Sequence, residues 1–409
     1  MPEDWKAGYI VPLPKKGDPT ICSNWRGITL LSVPGKLFAR IIAAGLYQYA
    51  ETKHILPEWQ CGFRGGRSTI DMIFTIRMIL ETAKNKKVPM FLVFIDLIKA
   101  YDSVAQAGLW KVLKIKGVPD DLLYHIKEYY SHKTCQVATE GVLSDPFELA
   151  TGLGQGCCLA LLLFNIYFGA VIESWLASKP DRMSWYTRVD GVLRRQANLS
   201  KYALHVEWQF HELGYADDLA LITDTLVKFQ RTYAKFSSHL THWGLTLSHA
   251  KTEALVSMLH HVGNLEDEPT TDPPVQFTDS FKYLGSFIDW QLTCEKDITH
   301  RLDQARTAFW KLTSHVWDVR QISLHTKLRV YRACVLSVLL YGNETWTITY
   351  PLMRKLKTFH MLCLRKICGV TRWMQQSRNI TNDRILAFLG VPSIDFAFCI
   401  KIASAGWDM

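Results

Sequence analysis

The sequence predicts an α+β fold, in which a mixed body of strands and helices reaches residue 288 and a basic, all-helical tail follows it. Three observations predict this. Met90-Phe91-Leu92-Val93-Phe94-Ile95 is a continuous apolar run, too short and too β-prone for a helix, so it reads as a buried central strand that ends at Asp96. Past residue 288, apolar positions recur at helical spacing through Ile298–Trp317, Leu324–Tyr341 and Leu352–Cys368. Charge shifts at the same place: residues 1–287 hold 30 basic and 29 acidic side chains, whereas 288–409 hold 17 and 9. A chain of 409 residues with 48% apolar content can bury two or three cores.

Between Ile10 and Ile42, turn signals (Pro12, Pro14, Lys15-Lys16-Gly17-Asp18-Pro19) alternate with short apolar runs such as Ile28-Thr29-Leu30-Leu31. They predict short strands that lead into a helix near Lys36–Tyr49. Gly62-Phe63-Arg64-Gly65-Gly66-Arg67 is a glycine-rich basic loop, and Ser68 or Thr69 with Asp71 caps the next helix, Ile70–Ala83. Lys84–Lys87 and Pro89 end that helix before the central strand. Helical spacing returns at Leu109–Ile115 and Leu122–Tyr130, a hairpin with Gly141 near its turn runs from Cys135 to Phe147, and Thr151–Gly156 breaks the chain before an apolar helix, Leu159–Trp175. After a basic stretch, Arg188–Lys201, comes a hairpin around Tyr215-Ala216-Asp217-Asp218, then an amphipathic helix, Thr225–Trp243, stopped by Gly244. Short strands follow at Leu245–Ser248 and Thr252–Ser257, around Lys251. Leu265–Pro274 reads as an acidic surface loop and Phe281–Ile288 as a last hairpin.

Composition narrows the function classes. The ten cysteines form no CxxC pair and no His/Cys cluster at zinc spacing, so they read as reduced thiols of an intracellular protein. Met1-Pro2-Glu3-Asp4-Trp5-Lys6 is polar, which argues against a secretory leader, and the expected location is nuclear or cytoplasmic. The apolar run Leu159–Ile172 is shorter than the roughly 20 residues of a membrane span, so no membrane role is expected. Arg320–Arg372 holds ten Lys/Arg and a single acid, Glu344, which gives a field suited to a polyanion or to a plain solvated basic surface.

The chemistry concentrates on aspartates. Asp217-Asp218 lie between Leu213 and the apolar run Leu219-Ala220-Leu221-Ile222, where unpaired charge beside a core costs several kcal/mol unless a cation neutralises it. If their hairpin neighbours the central strand, Asp96 joins them at one end of a sheet. Such a set suits two Mg²⁺ ions, which prefer carboxylate oxygens and bind substrate phosphates. Taken singly, each aspartate is more often a cap or a turn residue.

Phe94-Ile95-Asp96-Leu97-Ile98-Lys99-Ala100-Tyr101-Asp102-Ser103-Val104 resembles the first catalytic motif of LINE-type (non-LTR) retrotransposon reverse transcriptases, and Tyr215-Ala216-Asp217-Asp218 resembles their third. Asn24-Trp25-Arg26-Gly27-Ile28-Thr29-Leu30 and Gln60–Ser68 are similar to the fingers motifs. Gly154-Gln155-Gly156-Cys157 with Leu162-Leu163-Phe164-Asn165 is similar to the second palm motif, and Lys251-Thr252 and Phe281-Lys282-Tyr283-Leu284-Gly285 resemble the next two. The likeness covers Trp5–Ile288, and Ser337-Val338-Leu339-Leu340-Tyr341-Gly342 resembles the segment after the polymerase core.

The resemblance implies a right-hand polymerase: fingers and palm over 1–288, a basic, helical thumb-like domain over 289–372, and an unassigned segment over 373–409. It implies RNA-directed DNA synthesis from dNTPs on an RNA template and DNA primer, with Mg²⁺, or else Mn²⁺, held by Asp96, Asp217 and Asp218. Lys15, Lys16 and Arg26 would meet the triphosphate, Tyr101 would lie under the sugar, and Gln155 would touch the nucleotide or templating pair. Lys251 would act as general acid, Arg64 and Arg67 would meet phosphates, and Tyr283, Leu284 and Gly285 would grip the primer terminus. Packing, capping or a solvated surface is the competing role at each of these positions. The second palm motif departs from the family pattern, with Gly154 for arginine, Cys158 for proline, Ala160 for serine and Leu161 for proline. The expected alternative is thus a truncated relic that binds nucleic acid with weak or no catalysis.

Overall fold

A computed structural model gives the fold of all residues except 16, 155, 182, 189–192, 195–204, 211, 258–274 and 405–409. It has two compact units. The first comprises Met1–Met72 and Ala83–Thr278, and the second comprises Ile73–Thr82 and Asp279–Met409. The division falls ahead of residue 288, so the hairpin at 280–289 belongs with the helices that follow it.

In the first unit, a five-stranded sheet places Met90–Ile95 at its centre, antiparallel to both Asp218–Thr223 and Glu253–Ser257. Every residue of the central strand is buried, which explains a continuous apolar run where an alternating one marks a half-exposed strand. The helix Cys158–Ala177 supplies Phe164 and Phe168 to the core, and the helix Leu226–His242 supplies Phe229, Tyr233 and Phe236. At 20 residues the first of these is longer than the sequence indicated and is long and apolar enough to cross a membrane. Its burial inside the unit accounts for that composition.

A second sheet joins Gly8–Pro14 to Trp25–Leu31 antiparallel and to Thr134–Thr139 parallel. The helix Val33–Thr52 starts earlier than expected because Ser32 caps it and Pro34 fits its first turn. Ser68 and Asp71 form a capping box on the helix Thr69–Lys86, as read from the sequence. The expected strand Leu245–Ser248 reduces to a single bridge, Leu97 to Leu247. The loop expected at Leu265–Pro274 lies outside the described residues.

The second unit packs the helices Glu295–Lys311, Leu324–Tyr331 and Tyr350–Cys368 around their own core. Helical spacing continues past two of them as π-helical turns, Thr313–Trp317 and Arg332–Leu336. The stretch without assignable motif is helical too. Arg372–Ser377, Asn382–Leu389 and Ile394–Ser404 follow, with Ile385, Leu389, Ile394 and Phe398 in the core.

Candidate active site

The strand register brings the carboxylates together. Leu219 pairs with Ile95, so one further step sets Asp218 across from Asp96 on one side; Glu253 pairs with Phe94 on the other side, and Lys251 lies two residues before it. Lys251 Nζ stands 3.6 Å from Asp96 Oδ2. Tyr215 pairs with Asp218, which leaves Ala216-Asp217 as a two-residue hairpin turn. Ala216 holds φ at +58°, a left-handed conformation that a type II′ turn ordinarily gives to glycine.

Electrostatics at this end are unfavourable for protein alone. Asp217 is half-buried and Asp218 is exposed on its open side. Both carboxyls are nevertheless pushed above the usual range, Asp218 to about 6, first by the protein mass crowding them and then by neighbouring carboxylate charge: Asp96 acts on Asp217, and Asp217 and Asp96 act on Asp218. Arg26 works in the opposite sense on Asp217. Among the described residues no Lys or Arg forms an ion pair with Asp217 or Asp218. Nor, among them, do three His, Cys, Asp or Glu side chains converge to enclose an ion. Carboxylates that repel one another on an open rim nonetheless fit Mg²⁺, which takes one or two carboxylates and completes its shell with water and phosphate.

Beside the turn lies a 290 Å³ cavity lined by Arg26, Tyr101, Gly154, Ala160, Leu161 and Asp217, among others. Three of these, Gly154, Ala160 and Leu161, are positions where the second palm motif departs from the family pattern. Gly154 has φ +66°, and a Cβ there would meet Thr29 Oγ1 only at 3.5 Å, so the position is open in space and constrained in backbone. Tyr101 is buried, packs on the Phe164 ring at 4.6 Å, and its hydroxyl is pushed up by burial and then by Asp217 and Asp218. Lys15 is exposed on the neighbouring sheet and its charge acts on Asp102. Lys16 and Gln155 lie outside the described residues.

Other expected contacts are placed differently. Arg64 is buried: it donates to both Glu51 oxygens (2.9 and 2.8 Å), to Pro57 O and to Gln60 O, which leaves it no free face for phosphate. Arg67 is half-buried and bound to Glu58. Tyr283 is only 2% exposed, so its ring is buried rather than presented to nucleic acid, whereas Leu284 and Gly285 at the turn of that hairpin are half-buried. Tyr341 Oη donates to Leu284 O at 2.8 Å, Arg301 donates to Gly285 O, and its guanidinium lies 4.2 Å over the Tyr341 ring. Tyr341 is the tyrosine of the Leu340-Tyr341-Gly342 motif, and this is what it holds.

Two further residues stood in the sequence only as members of motifs, with no role assigned. Gln60, wholly buried, makes three hydrogen bonds, two with Ala216 and one with Gly62. Asn165, the one amide in a largely apolar helix, donates to Gly62 O at 2.7 Å. A lone amide inside an apolar run was the available signal.

A sheet with two carboxylates on a hairpin beside a third on the central strand, preceded by a small sheet and followed by a helical unit, is the fingers, palm and thumb of a right-hand polymerase. The family pattern of reverse transcriptase (RNA-dependent DNA polymerase) matches residues 13–288, and the chain belongs to that family. It is 24% identical over 400 residues to the RNA-directed DNA polymerase from mobile element jockey of Drosophila melanogaster, covering 95% of this chain and 40% of that protein. It is 26% identical over 400 residues, with the same coverage, to the probable RNA-directed DNA polymerase from transposon X-element of the same organism. The chain thus spans well under half the length of these relatives. Among solved structures, telomerase from Candida tropicalis with a fragment of telomeric RNA aligns at a TM-score of 0.47 and 14% identity, over 94% of this chain and 64% of that one. Reverse transcriptases generally use divalent metal ions.

Proposed function

We propose that the chain is an RNA-directed DNA polymerase of a non-LTR retrotransposon, extending a DNA primer on an RNA template with dNTPs inside the cell. One observation carries this reading: Asp96, Asp217 and Asp218 lie at one end of the palm sheet, no Lys or Arg among the described residues is bound to the hairpin pair, and a cavity beside them opens on Asp217. Asp96, Asp217 and Asp218 would hold two Mg²⁺ ions, with Mn²⁺ as the substitute. When bound, the metal supplies charge neutralisation at the attacking and leaving oxygens of phosphoryl transfer.

The chain's own residues do the rest. Arg26 faces the cavity next to Asp217 and suits a triphosphate, and Lys15 and Lys16 would add their charge to it. Tyr101, fixed against Phe164, would form the floor under the sugar and exclude a 2′-hydroxyl by bulk. Gln155, next in sequence to the cavity-lining Gly154, would meet the nucleotide or templating pair. Lys251, whose Nζ lies beside Asp96, would give its proton to the departing pyrophosphate. The turn Leu284-Gly285, held by Tyr341 and Arg301, is the part of its hairpin suited to a primer backbone.

Gly154 favours a second reading. Without the usual arginine the cavity wall carries one charge fewer, as a relic that only binds nucleic acid would show. Purified chain, a primed RNA template, dNTPs and Mg²⁺ separate the two. Extension that Asp217→Ala abolishes supports the polymerase; salt-sensitive template binding without extension supports the relic.

A further inference from the structure

We propose that Gln60 is a positioning residue for the metal-binding carboxylates, clamping the backbone of Ala216 so that the Asp217-Asp218 turn keeps its left-handed form. The inference rests on the proposed polymerase reading. Ala216 N–H donates to Gln60 Oε1 at 2.7 Å, and Gln60 Nε2 donates back to Ala216 O at 3.0 Å, so one side chain holds both polar groups of one peptide residue. Gly62 N–H donates to the same Oε1 at 2.9 Å. Only one orientation of the amide serves these partners, since the flipped form would set its NH₂ against two N–H groups.

The clamped residue is the one that needs holding. A type II′ turn favours glycine at its first central position, and here that position is Ala216, with φ +58°. Asp217 is the next residue of the turn and Asp218 the first of the strand, so the directions of both carboxylates follow from Ala216. The clamp is itself braced. Asn165 donates to Gly62 O and Arg64 donates to Gln60 O, while Cys61 N–H donates to Gly214 O within the same hairpin. Gly62 admits no side chain, because a Cβ there would lie 2.3 Å from Ala216 N.

The test compares the parent chain with Gln60→Met, which keeps shape and removes the hydrogen bonds, and with Gln60→Met/Ala216→Gly. Mg²⁺ binding is read by calorimetry without primer, template or nucleotide, beside the melting temperature in a chelator. Gln60→Met is expected to melt lower, through the N–H groups it orphans, and to bind Mg²⁺ about tenfold more weakly. Adding Ala216→Gly, which lets the turn hold its own conformation, restores most of the Mg²⁺ affinity and leaves the melting loss in place. A folded Gln60→Met chain with parental affinity overturns the proposal, as does a loss of affinity that Ala216→Gly leaves untouched, or a parent chain that binds no Mg²⁺. Failure of both variants to fold also overturns it, since Gln60 would then serve folding. A parent chain that binds Mg²⁺ but extends no primer counts against the proposed function alone.

Discussion

Each unit carries aspartate charge against its core, and the two treat it in opposite ways. In the helical unit, Asp297 has no exposed surface and is fully served: Arg77, Ser286 Oγ, Phe287 N–H and Trp346 Nε1 all donate to it. In the palm, Asp217 and Asp218 repel Asp96 and each other, with no described basic side chain bound to either. A carboxylate whose charge is answered from within is a structural element. A set left mutually repelling suits a cation from outside.

The comparison breaks most sharply by mutation. Asp217→Ala is expected to cut primer extension by a factor on the order of 10³ while leaving metal-free thermal stability intact or improved, measured by extension assay and melting in a chelator. Asp297→Ala should do the reverse. It takes the counter-charge from half-buried Arg77 and leaves the Phe287 N–H and the Trp346 ring N–H without their acceptor, and should cost the helical unit about 3 kcal/mol in denaturant unfolding.

Acid sharpens the contrast. His360 is buried against Tyr331, whose hydroxyl it faces at 2.7 Å, and burial holds its imidazole down at about 4 against an ordinary 6.5. Between those values the unfolded chain binds the proton and the folded one does not. The helical unit therefore keeps this stability above pH 6.5 and loses up to roughly 3 kcal/mol of it as pH falls toward 4. Asp218 is raised to about 6, so the folded palm takes up a proton first. Its metal-free stability should rise as pH falls through 6, where hydrogen exchange of the two units would diverge. The smallest effect is expected at the cavity: Gly154→Ala should cost about 1 kcal/mol in unfolding free energy, because φ +66° suits glycine and space is not limiting.

What could be read in the sequence was local or strongly patterned. The capping box at Ser68 and Asp71, the all-apolar central strand and the Asp217-Asp218 hairpin each depend on residues a few positions apart, and the structure has all three. What could not be read depends on distant partners. Arg64 looked like a phosphate ligand because nothing nearby reveals that Glu51 and two carbonyls will claim it. Gln60 acts on Ala216, 156 positions away. Tyr283 lies in a motif that suggests contact with nucleic acid, yet its ring is buried, which only the folded unit reveals. The terminal helices were missed for another reason. Thr371 and Thr381 cap them, and Gly369 and Gly390 stand at helix C-termini, so the punctuation was present without a motif to draw attention to it.

The central claim is that the palm carboxylates await an external cation while the helical unit's Asp297 does not. Native-state hydrogen exchange of the whole chain, with Mg²⁺ and with a chelator, tests it directly. The account predicts that Mg²⁺ adds protection to Met90–Ile95 and Asp218–Thr223 and leaves Glu295–Lys311 and Tyr350–Cys368 unchanged. Equal gains in both units, or no gain in the palm, would contradict it.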